Sequence, residues 1–152
     1  MLGNNAKIAE IDNEIIKNFG CFEIEKLNSI YMASDWKAKD YRNFLLHYSL
    51  PLLYEYGCEQ TQKIFGELSE AIYILSERFL DDDMVRKAEV RINRMLILVV
   101  KVFGETTITA NFHDLSHTCK IIKNSGPFWL HSTFNYENLN GIIRKFVINL
   151  LN

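Results

Sequence analysis

His113 and His117 stand four residues apart in NFHDLSHTCK, the spacing at which a helix carries two imidazoles on one face. Two imidazoles so placed are half of what zinc takes, because the ion binds four ligands, or three and a water. The thiol of Cys119 falls about 200° round the helix from His117 and points elsewhere. His131 and Asp114 are further donors that only the fold could bring in. The ordinary alternative is a pair in which one histidine hydrogen-bonds within the protein and the other is exposed. Glu137, alone among asparagines in NYENLNG, also reads two ways. It is either a first-turn acid favoured by the helix dipole, or a carboxylate ligand to Mg²⁺ or Mn²⁺, a role that needs several carboxylates together.

Other candidates are weaker. The run DDD at 81–83 suggests a metal cluster, but consecutive carboxylates diverge on a helix, so a solvated helix start fits better. Trp36, Trp129, Tyr54, Tyr56, Phe128 and Phe134 suit a core better than a platform for nucleobases. Arg144 and Lys145 either meet a phosphate or solubilise the last helix. No Gly-rich phosphate loop, Ser/His/Asp set or Cys/His nucleophile pair is visible. Cys21, Cys58 and Cys119 are odd in number and lack CxxC spacing, which argues against a disulfide framework and for an intracellular setting.

The elements that must position these residues read as helices, with only two prolines to interrupt them. Residues 5–18 carry Ile8, Ile11, Ile15 and Ile16 at helical spacing before Gly20. Ser34 or Asp35 is placed to cap a helix with Trp36, Tyr41, Phe44, Leu45 and Tyr48, which Pro51 should break or kink. Ile64, Phe65, Leu68, Ile72, Leu75 and Phe79 form the clearest amphipathic stripe. A helix over about 84–102 should follow and stop at Gly104, with its apolar end MLILVV buried. ETTITA at 105–110 is a connector, a further helix starts near Asn111 and turns at Gly126-Pro127, and the last runs from about Asn135. No repeat or linker divides the chain, so the expected fold is an all-α, compact helical bundle in a single domain over 1–152.

The bulk numbers agree. A chain of 152 residues that is 48% hydrophobic, with Phe 10 and Tyr 7, is ample for one packed core. A net charge of -2 leaves no basic footprint for nucleic acid. No signal-peptide pattern opens the chain, and no apolar run approaches the roughly 20 residues that span a bilayer, so no membrane partner is expected.

The order of several blocks adds to this reading. DWKAKDYRNFLLHYSLPLL at 35–53, then AIYILSERFL, then KVFGETTITANFHDLSHTCKIIKNSGPFW, then STFNYENLNGIIRK, resemble the C-terminal region of CACTA-like transposases, over roughly residues 34–145. Those enzymes look related to the Transib group, with an RNase H-like core, three acidic residues and a helical insertion between the second and third acids. The resemblance implies that 34–110 are insertion helices and that 111–145 hold the histidine pair and the acid-bearing helix. It makes His113 and His117 zinc ligands beside an upstream cysteine pair, and Glu137 the third catalytic acid. It also implies a fragment, since the sheet, two aspartates and cysteine pair of the family have no counterpart here. Zinc would then have an incomplete site, and Mg²⁺ or Mn²⁺ and DNA would be bound only by an intact relative. One carboxylate cannot hold two metal ions, so no catalysis by this chain alone is expected. GIIRKFVINLL would lack its sheet and must fold back on the bundle, pair with itself or with a missing catalytic portion, or expose an apolar patch. A transposase-like chain would be nuclear and otherwise cytoplasmic. The reading from another class is a domesticated helical protein-protein interaction module.

Overall fold

The computed structural model describes residues 9–13, 28–127 and 143–144. The protein is an all-α bundle, and among the described residues there is no strand. A 3-10 segment, Ile30–Asp35, leads into α1 (Ala38–Asn43), a π turn (Phe44–Tyr48) and α2 (Ser49–Tyr56). Three longer helices follow: α3 (Glu59–Leu75), α4 (Asp82–Phe103) and α5 (Ala110–Ser125), with a 3-10 turn, Glu105–Thr107, between the last two. Short connections make α3, α4 and α5 successive antiparallel neighbours, and α4 packs on both of the others.

Each helix forms because one stripe of it is apolar. On α3, Ile64, Phe65, Leu68, Ile72 and Leu75 are all fully buried. Phe79 does not continue that stripe: the helix ends at Leu75, where the Ser76 hydroxyl donates to the Ile72 carbonyl at 2.7 Å, and Phe79 lies exposed beneath the Arg78 guanidinium. On α4, Val85, Ala88, Ile92, Met95 and Val99 recur at three- and four-residue steps and are buried. Its start is capped as DDD suggested: Asp81 accepts from the Met84 amide at 2.7 Å, and Asp83 pairs with Arg86 and Lys87. Gly104, at φ 84, closes the helix in a backbone conformation that a side chain would strain. The apolar end of α4 is not buried all round, because Ile97 is 67% exposed.

The first half of the chain corrects two details of the sequence reading. Ser34 and Asp35 belong to the 3-10 segment, and the cap of α1 comes from within it, where the Asp40 carboxylate accepts from the Lys37 amide at 2.9 Å. Pro51 does not break the helix. The helical backbone runs on past it without a break from the π turn into α2, and the distortion sits just before it as that π turn. Trp36, Tyr41, Phe44, Leu45 and Tyr48 are buried as expected, with the Trp36 ring 5.3 Å from Tyr41 and 5.4 Å from Phe44. Tyr54, by contrast, is exposed.

One cluster of buried residues runs from Ile30 to Ile122 and takes in Ile143. Thus Ile143 is fully buried within that cluster, while the neighbouring Arg144 is exposed. Residues 9–13 are helical, and the Asp12 carboxylate accepts from the Ile30 amide at 2.8 Å and from the Ser29 hydroxyl. The other parts of the expected first and last helices lie outside the described residues. No helix among the described residues is long and apolar enough to cross a membrane.

Candidate functional site

The histidine pair sits on α5, whose inner face is set by Phe112, Leu115, Cys119 and Ile122, all buried. Helical phase then turns His113 and His117 to the outer face, and both are exposed. Their rings meet edge to face, with centroids 4.7 Å apart and planes at 84°. The two Nε2 atoms are 3.2 Å apart. Without a metal, one ring donates its N–H to the other. The separation is also close to that of two nitrogens on one tetrahedral zinc, about 3.3 Å for bonds of about 2.0–2.1 Å. The two nitrogens therefore already stand at the bite that a shared ion requires.

Both histidines are exposed, and the hydrogen bond recorded for their rings is the one between them. The remaining donors are elsewhere. Cys119 faces the core, and burial pushes its thiol up to about 11. Among the described residues no group of three or more His, Cys, Asp or Glu side chains could hold a metal ion. His131 and Glu137 lie outside the described residues, as do Trp129, Phe128 and Phe134.

Beside the pair runs a groove that sequence reading did not anticipate. It lies along the seam of α4 and α5, has a volume of about 420 Å³, and is lined by Leu96, Ile97, Val100, Ile108 and Phe112, with His113 at its rim. The signal for it was present in MLILVV, but which side of that run faces outward depends on how α4 meets its neighbours.

Two further features were missed. Arg91 of α4 reaches across to α3, donating to Glu67 at 3.0 Å and to Glu70 at 2.8 Å. This clamp ties the two central helices at mid-length. Cys58, exposed at the start of α3, lies 3.4 Å from the Thr61 hydroxyl, and hydrogen bonding there holds its thiol below the usual value.

No known protein family, curated protein or solved structure matches the chain. The transposase resemblance therefore rests on the ordered sequence blocks alone.

Proposed function

We propose that this chain is a transposase-derived helical domain, equivalent to the insertion and third-acid helix of a CACTA-like enzyme, with no catalysis of its own. The observation that best supports this reading is the pair of exposed imidazoles held 3.2 Å apart, without further donors among the described residues. That is what half of a shared zinc site would look like, its other ligands being a cysteine pair on a separate catalytic portion. In that setting His113 and His117 fasten the insertion through zinc. Glu137 supplies the third carboxylate to Mg²⁺ or Mn²⁺, and DNA is bound only by the assembled enzyme. The site of action is then the nucleus.

The test is complementation. The purified chain is mixed with the separately expressed portion of a CACTA-like transposase that carries the two aspartates and the cysteine pair, and cleavage at the element ends is followed. Cleavage requiring both chains, and lost in Glu137→Gln, is the expected result. Absence of both association and cleavage overturns the reading. A second reading, a domesticated protein-protein interaction module, is favoured by the apolar α4–α5 groove. It predicts self-association in the same mixture with no cleavage. The chain would then be cytoplasmic.

A further inference from the structure

We propose that, in the chain on its own, with no cysteine pair supplied by a catalytic portion, His113 and His117 form half of a zinc site completed by a second copy of this chain, so that zinc bridges two α5 helices through four imidazoles. The inference rests on the pair and the groove, not on descent from a transposase. The helix already holds the two nitrogens at nearly the separation zinc imposes, and binding replaces the hydrogen bond between them, the donating ring keeping its proton on Nδ1 instead of Nε2. Two donors are too few, and the same chain offers no others among its described residues. A two-fold axis through the ion is the simplest way to double them, because an isologous interface presents the same patch twice. The four nitrogens then complete the tetrahedron.

What surrounds the pair fits a second copy. His113 both lines the apolar groove and belongs to the pair, so a copy held at the metal approaches beside the groove. Ile97, 67% exposed, and Ile108, 37% exposed, are the apolar groups such an approach would cover. Each adds a hydrophobic contribution that two metal bonds per chain lack. The pair lies diametrically opposite the buried stripe of α5, so docking disturbs no core contact.

Native mass spectrometry and sedimentation velocity of the purified chain, with zinc sulfate or with a chelator, test the proposal. A monomer in chelator that becomes a dimer holding one zinc per two chains supports it. His113→Ala and His117→Ala must each abolish both zinc uptake and the dimer. Ile97→Glu, at an exposed position, must weaken the zinc-dependent dimer by about tenfold or more while leaving the circular dichroism spectrum unchanged. Zinc bound one to one by a monomer, no zinc bound, or a dimer indifferent to chelator and to His113→Ala overturns it. Failure here leaves the complementation result untouched, since that assay supplies cysteines from another chain.

Discussion

The hydroxyl of Ser49 donates to the carbonyl of Leu45 at 2.7 Å, and the hydroxyl of Ser69 reaches the same oxygen from α3 at 3.3 Å. The π turn shifts the Ser49 amide to Phe44, which takes from the Leu45 carbonyl its usual i+4 partner, and the two serines replace it. The distortion ahead of Pro51 is thereby held inside the core, where Ser49 is fully buried.

Ser49→Ala should therefore lower stability by about 1 kcal/mol, with a melting temperature lower by roughly 2–4 °C. Ser69→Ala should cost less, its hydrogen bond being longer. The double variant should lose more than the sum, because only then is a buried carbonyl left without a side-chain partner. Denaturant titration of the three variants checks this. Strict additivity would mean that the two serines do not share the oxygen.

The Asp81 cap gives a second prediction. Its carboxylate takes the Met84 amide at 2.7 Å, whereas Asp82 lies within the first turn of α4. Asp81→Ala should cost about 1 kcal/mol and Asp82→Ala no more than about 0.5 kcal/mol. Equal losses in chemical denaturation would show that charge near the helix end matters and the cap does not.

How far the fold could be read from the residues follows from what each feature depends on. The stripe Ile64 to Leu75 and the cap at Asp81 depend on spacing within one helix, so they were legible. Phe79 kept the spacing but not the helix, which the Ser76 hydroxyl had already ended. The apolar all-round run of α4 suggested full burial, yet α4 packs on α3 and α5 and leaves Ile97 outward. The site divides in the same way. The common face of His113 and His117 is a property of one helix, while the groove beside them, and the Arg91 clamp to Glu67 and Glu70, arise only when helices meet.

The two described cysteines should differ sharply in reactivity. Hydrogen bonding to Thr61 lowers the Cys58 thiol and leaves it exposed, whereas burial raises Cys119 to about 11. Thiolate is the nucleophile, so at neutral pH Cys58 should be alkylated by iodoacetamide about a hundredfold faster or more. Peptide-resolved mass spectrometry over a time course reads both rates. In denaturant they should converge, and Thr61→Val should slow Cys58 alone. Similar native rates would mean that α5 opens readily enough to present Cys119.

Burial of Cys119 also predicts a loss of stability in alkali. Below the ordinary thiol value of 9.0 the folded and unfolded chains both keep the proton, and no penalty arises. Between that value and about 11 the unfolded chain gives up its proton while the folded chain holds it. The folded state then binds more protons, so unfolding becomes easier as pH rises, by up to about 2–3 kcal/mol for this group. Burial raises Tyr41 above its usual 10.0 as well, which adds a loss of the same sign at higher pH. Cys119→Ala should therefore be less stable than the parent at pH 7, because it empties packed volume, yet should lose less between pH 9 and 10. Urea midpoints across pH 7–11 measure both slopes. Parallel curves for parent and variant would show that the buried thiol does not control the alkaline limb.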